Sequence, residues 1–247
     1  MKIYVVTHKN VNIKLPKNYS LFQVNAVNSQ VFCKENDAIG DNISKKNPYY
    51  CELTAVYWIW KNDIENDVIG IAHYRRYLTK SRFFNTPIKA VNSNTTEKYL
   101  KNYDIILPRP IKFNITVREQ LTESVYEKDL LALSDIISCD YPDYINAYES
   151  VLNGYQTYYC NIMICGKPLW NAYCEWLFPI LAKLEKRVDM TGYDVSHQRL
   201  YGYLSERLLT VYVRKHGLKV KTLRMFLSGI PFLKRLKNKI ISTLVHK

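Results

Sequence analysis

The sequence predicts an α/β protein with a central, mostly parallel, Rossmann-type sheet flanked by helices. Three observations predict it. Short β-branched or apolar runs at 2–7 (KIYVVT), 68–72 (VIGIA), 104–108 (DIILP) and 160–165 (CNIMIC) have the length of buried strands. Longer segments with apolar residues at helical spacing alternate with them. The run at 68–72 empties directly into His73-Tyr74-Arg75-Arg76-Tyr77. In an open α/β sheet, the carboxyl end of a buried strand is where ligands are held.

The 247 residues fit one domain, expected over 1–223, with a small appendage at 224–247. An apolar fraction of 47% is ample for a core and excludes a disordered chain. No apolar run approaches the roughly 20 residues of a spanning helix. The opening MKIYVVTHKN reads as a strand rather than a leader peptide, so the cytoplasm is the expected compartment. The six cysteines lack C-x-x-C or zinc-like spacing and are expected reduced.

Taken in order, the strand at 2–7 ends at Thr7 and His8. In a doubly wound sheet that first loop commonly touches a nucleotide, a plain surface loop being the other reading. Residues 21–33 read as a second strand-like element, and Gly40-Asp41-Asn42 as a turn. Asn47-Pro48 starts a helix, because proline has no amide hydrogen to lose in a first turn. Tyr50, Leu53, Thr54, Tyr57, Trp58 and Trp60 continue it. Residues 80–103 read as an insertion with a helix near 94–102.

Beyond the strand at 104–108, the stripe Val117, Leu121, Val125 and Leu130 or Leu131 marks a core-facing helix over 114–134. Pro142 starts another helix. The strand at 160–165 leads into a helix from Lys167-Pro168, which Pro179 is expected to kink or divide. A helix from Ser196 to about Lys215 stops at Gly217, and 218–223 is the last strand.

The charge is uneven. Eight of the 35 basic residues and none of the 22 acidic ones fall within 219–247, so the first 218 residues carry only +5 of the net +13. Leu233, Leu236, Ile240, Ile241 and Leu244 share one helical face, with Lys234, Arg235, Lys237 and Lys239 around it. A basic amphipathic helix of this kind lies in an anionic membrane interface or packs onto the domain or a partner. Nucleic acid is not expected as a partner, because the aromatics are not interleaved with the basic residues as a stacking platform requires, and no nucleic-acid module is recognised.

The run GDNISKKNPYYCELTAVYWIWKN followed by IGIAHYRRYL resembles the bacterial capsular and exopolysaccharide glycosyltransferases once catalogued only as a domain of unknown function. DIILPRP at 104–110, NIMICGKPLWNAYCEWLFPIL at 161–181 and RLYGYLSERLLTVYV at 199–213 are similar in the same order. The resemblance implies a GT-A-like fold and transfer of a hexose, galactose in pyranose or furanose form, from a UDP-sugar. The implied acceptor is a lipid-linked oligosaccharide at the inner face of the plasma membrane.

Two adjacent arginines suit a diphosphate, since guanidinium bonds phosphate oxygens in a bidentate fashion. Many GT-A enzymes instead hold a metal with Asp-x-Asp after a central strand. Here that strand ends in HYRRY with no carboxylate pair, so Arg75 and Arg76 are expected to neutralise the diphosphate without metal or other cofactor. Thr7, His8, Asp41, Asn42, Asn47, Tyr50, His73 and Tyr74 complete the expected donor site. Activating an acceptor hydroxyl requires a base, and Glu52, Asp194 and Glu206 are the candidates. Glu206, in a helix near Arg199 and Arg207, reads more often as an ion-pair partner than as a base. Asn161, His197 and Arg199 are further candidates for donor or acceptor contacts. A non-catalytic nucleotide-sugar or carbohydrate-binding protein is the rival reading.

Overall fold

The computed structural model describes residues 1–81 and 86–229. It is a mixed α/β fold in which, among the described residues, nine strands accompany eight α-helices. The strands are β1 (Lys2–Thr7), β2 (Tyr19–Gln23), β3 (Val68–His73), β4 (Arg76–Thr79), β5 (Ile105–Pro108), β6 (Ile111–Lys112), β7 (Gln156–Thr157), β8 (Ile164–Gly166) and β9 (Val220–Leu227). The helices are α1 (Asn47–Tyr50), α2 (Leu53–Asn62), α3 (Ser93–Leu100), α4 (Val117–Thr122), α5 (Glu127–Asp140), α6 (Ile145–Leu152), α7 (Lys167–Glu185) and α8 (Leu200–Lys215).

The main sheet corrects the expectation of a mostly parallel Rossmann-type arrangement. β2, β1 and β3 are parallel, with Val6 opposite His73 in register. β3 then divides its second edge: Val68 to Gly70 pair antiparallel with β8, while His73 pairs antiparallel with Arg76 of β4. β4 pairs β9, β9 runs parallel to β5, and β5 returns to β8. Five strands thereby close into a mixed barrel, with β1 and β2 as a parallel wing. Closure leaves the ring without an exposed edge.

β1 is buried on both faces, and alternation sorts its side chains between two cores. Tyr4 and Val6 join the large core under the helices, which includes Trp170, Leu177, Tyr201 and Leu208. Ile3 and Val5 join a smaller one with Tyr77, Ile106, Ile164 and Phe226. Gly70 sits where β1, β3 and β8 crowd together. A Cβ there would lie 2.9 Å from side-chain atoms of both Ile164 and Ile3.

Several element boundaries differ from the sequence reading. The helix begun at Asn47-Pro48 breaks at Cys51, whose φ of 52° leaves the helical region. The expected helix over 114–134 is α4 and the start of α5; a capping box at Thr116 and Glu119 starts α4. α7 runs through Pro179 undivided. Of 21–33 only the first residues belong to β2, and the CNIMIC strand shortens to β8 because Cys160 and Asn161 have φ of 70° and 48°. β9 extends to Leu227, beyond the expected end at 223. Most of the amphipathic helix expected at 226–245 lies outside the described residues. Among those described, no helix is long and apolar enough to cross a membrane.

Candidate active site

β2 lies on one side of β1 and β3 on the other, so the chain reverses direction across the sheet at β1. Two neighbouring parallel strands whose connections diverge leave a crevice beyond their carboxyl ends. A cleft of about 760 Å³ occupies that position. Thr7 and His8 reach it from β1, and His73 to Arg76 from the β3–β4 turn. Asn47, Cys51 and Glu52 come from the break between α1 and α2, Tyr159 and Cys160 from the turn before β8, and Arg199, Tyr203 and Glu206 from α8 and its entry.

The helix break is built locally. Asn47 donates from Nδ2 to the Cys51 carbonyl at 2.7 Å and to Thr54 Oγ1 at 3.0 Å. Thr54 Oγ1 in turn donates to the buried Asp37 at 2.6 Å. α8 approaches closely because position 202 is glycine; a Cβ there would meet Cys51 Sγ at 3.2 Å. The break leaves Glu52 as the residue preceding α2.

Cys160 and Asn161 form a turn in consecutive left-handed conformations, costly for side-chain-bearing residues and kept only where the surroundings fix it. Four groups do so. Glu206 Oε1 accepts from the Cys160 amide at 2.8 Å, and His73 Nε2 donates to the Cys160 carbonyl at 2.8 Å. Asn161 Nδ2 donates to Glu52 Oε1 at 2.8 Å and to Ser205 Oγ at 2.9 Å. Asn161 is 3% exposed, and its Oδ1 has no hydrogen-bond partner among the described residues. An unmade hydrogen bond of this kind costs about 1–3 kcal/mol.

Both cleft carboxylates sit among charges. Burial pushes Glu206 up to about 7, against the Arg207 guanidinium that donates to Oε2 at 2.8 Å; the Glu52 charge pushes the same way as burial. Burial lowers the pKa of His73, opposed by Glu52 and assisted by Arg76. His8 is lowered too, by burial and then by Lys9 and Arg199. Burial raises the Cys51 thiol to about 11 and the Cys160 thiol to about 12, so both stay protonated at neutral pH. Arg199 donates from Nε to Cys51 Sγ at 3.3 Å and lies over the Tyr203 ring. Arg75 is exposed and Arg76 half-buried. Among the described residues none of Arg75, Arg76 and Arg199 has a carboxylate within ion-pair distance. No group of three or more His, Cys, Asp or Glu side chains among the described residues is arranged to hold a metal ion.

The DUF4422 family profile, described as a domain of unknown function, matches residues 2–217. The chain belongs to the DUF4422 family. The match agrees with the motif resemblance as far as a domain of unknown function, and it contains every cleft residue except Leu227. Among solved structures, this DUF4422 chain is similar to apo WbbM, a bifunctional glycosyltransferase, with a TM-score of 0.83 and 31% identity. The superposition covers 92% of the present chain and 45% of WbbM, so the chain spans less than half the length of that protein. No curated protein matches it.

Within this DUF4422 domain, the cleft gathers ten of the sixteen residues singled out from the sequence: Thr7, His8, Asn47, Glu52, His73, Tyr74, Arg75, Arg76, Arg199 and Glu206. The other six lie elsewhere. Asn161 is one layer behind, against Glu52. Tyr50 is 3% exposed, stacked on Tyr201 with its hydroxyl on Glu185. Asp41 and Asn42 fasten their own turn, through Tyr57 and Asn62 and through the Ala38 and Gly40 carbonyls. Asp194 is exposed, accepting from the Ser196 and His197 amides and pairing with His197 Nδ1 at 2.6 Å. His197 itself stacks on Tyr126. Sequence reasoning missed Cys51, Tyr159, Cys160 and Tyr203 as cleft residues; each adjoins a chosen segment, but no pattern in the sequence marks them.

Proposed function

We propose that the chain is a glycosyltransferase domain with a GT-A-like site. It moves a hexose, galactose in pyranose or furanose form, from a UDP-sugar to a lipid-linked oligosaccharide of a capsule or exopolysaccharide. The observation that carries this reading is the convergence of three arginines, without carboxylate partners among the described residues, and two carboxylates at the carboxyl ends of β1 and β3. The likeness to WbbM supports the same reaction class.

In this reading Arg75 and Arg76 hold the donor diphosphate, with Arg199 facing the same space. The acceptor oxygen bonds to the anomeric carbon as the bond from that carbon to the diphosphate oxygen breaks. The diphosphate leaves with the electron pair, its charge stabilised by fixed guanidiniums in a partly dry cleft. The acceptor proton passes to a cleft carboxylate. Glu52 and Glu206 fit that role better than Asp194, which is outside the cleft. The basic segment at 226–245 would bring the site to anionic lipid at the cytoplasmic face of the plasma membrane, where the acceptor is presented.

The test is a panel of nucleotide sugars, each incubated with the protein and a lipid-linked acceptor, with and without chelator, reading free nucleoside diphosphate. Release from one donor that persists in chelator supports transfer through arginines. No release from any donor would overturn the transferase reading.

A further inference from the structure

We infer that Asn161 is a positioning residue that holds Glu52 as the base of the transfer step. The inference rests on the transferase reading and deepens it by choosing between the two cleft carboxylates and naming what orients the chosen one.

Glu206 has both oxygens engaged within the protein, Oε1 by the Cys160 amide and Oε2 by Arg207, each at 2.8 Å. It lies within α8 and is 8% exposed. These contacts make it a brace for the Cys160–Asn161 turn. Glu52 lines the same cleft with Oε1 held by Asn161, and among the described residues its other oxygen takes no hydrogen bond from the protein. A base needs that combination of a fixed direction and an oxygen available to the acceptor hydroxyl.

The Asn161 amide is organised around this task. Ser205 donates its hydroxyl hydrogen to the Gly202 carbonyl at 2.8 Å, so its Oγ meets Asn161 as an acceptor. Glu52 Oε1 is an acceptor as well. Two acceptors on one side fix Nδ2 there; the flipped amide would set Oδ1 against a carboxylate oxygen. The cost of this orientation is visible in the buried Oδ1, which has no partner among the described residues. The left-handed backbone at Asn161 is equally specific, since asparagine tolerates that conformation better than other residues with side chains. A buried asparagine in a strained turn, with one end unsatisfied and the other on a cleft carboxylate, is the signature of a group kept for its direction.

The test replaces Asn161 by Asp and reads two quantities. The first is the pH dependence of kcat for sugar transfer. An added carboxylate against Glu52 makes the pair share a proton, so the acidic limb should move up by about one unit or more, with KM for the donor changing less than about twofold. Glu52→Gln should lower kcat by about 10²-fold or more, the usual contribution of a general base.

The second readout needs no turnover. The Glu52 carboxyl is titrated by carbon NMR in protein labelled at glutamate Cδ, with the resonance assigned from Glu52→Gln. The midpoint in Asn161→Asp should rise by at least one unit. An unmoved midpoint, or wild-type kcat in Glu52→Gln, would overturn the inference. If the wild type turns over no donor, the transferase reading fails by itself, while the titration still decides whether Asn161 governs Glu52. Should Asn161→Asp fail to fold, Asn161→Ser adds no carboxylate but removes the amide donor that favours the charged form, so both readouts should move upward by a smaller amount, and no movement in either would overturn the inference.

Discussion

His73 donates its Nε2 hydrogen to the carbonyl oxygen of Cys160, 2.8 Å away, and so ties the end of β3 to the strained turn before β8. A carbonyl can only accept, which fixes the neutral ring as the Nε2–H tautomer and leaves the Nδ1 lone pair for another donor. Burial lowers the folded pKa below the ordinary 6.5. The unfolded chain therefore takes up this proton first as pH falls. The stability this histidine contributes is complete above pH 6.5 and is lost as pH falls through the folded value. His73→Gln, which keeps a donor amide and does not titrate, should gain stability relative to the wild type between pH 7 and 5. Thermal melts across that range check the sign.

Glu206 titrates with the opposite sense. Its folded carboxyl is pushed from 4.5 to about 7, first by burial. The folded protein then binds a proton that the unfolded chain has already released. Stability from this group is full below pH 4.5 and falls as pH rises through 7, by about 3 kcal/mol in all. Glu206→Gln keeps an oxygen for the Cys160 amide but has no such transition. Its stability relative to the wild type should rise from pH 5 to pH 8. Chemical denaturation at both pH values reads the difference, and a constant gap would show that burial does not control this carboxyl.

Much of this arrangement was legible in the sequence because its strands are short apolar runs with sharp ends. Val68 to Ala72 followed by HYRRY located both a central strand and the cleft at its end. The barrel was not legible. Its closure depends on β3 giving half an edge to β8 and one residue to β4, a division set by tertiary pairing. The turn at Cys160 and Asn161 was hidden for a related reason. CNIMIC reads as one strand until Glu206, His73 and Glu52, all distant in sequence, hold its first two residues in a left-handed conformation. Tyr50 misled because an aromatic beside a polar loop fits a ligand wall as well as it fits the core face it occupies.

The adjacent arginines should not be equivalent. Arg76 is half-buried at the start of β4, its charge felt by His73, Cys160 and Glu206, whereas Arg75 is exposed beside Tyr74. A charge-assisted hydrogen bond to phosphate is worth about 1.5–3 kcal/mol, and less where water competes. Arg76→Ala should weaken UDP binding by roughly 10- to 100-fold, and Arg75→Ala by less. Calorimetric titration with UDP measures both. Unchanged affinity in both variants would remove the phosphate role from this turn.

The proposed membrane docking of the basic C-terminal segment can be tested without damaging the barrel only if the cut is placed correctly. β9 continues to Leu227, where it pairs with Arg76, and the buried Phe226 stacks on Tyr77 at 5.5 Å. Ser228 also donates its amide to the Arg75 carbonyl, bracing the turn that carries both arginines. Truncation at 223 or 226 would therefore disturb the cleft along with the tail. A chain ending at Gly229 keeps these contacts and removes the basic amphipathic stretch. It should lose sedimentation with anionic vesicles, most clearly at low salt where polybasic attraction is strongest, while UDP affinity stays within about twofold. Retained vesicle binding would move the membrane contact to the domain itself.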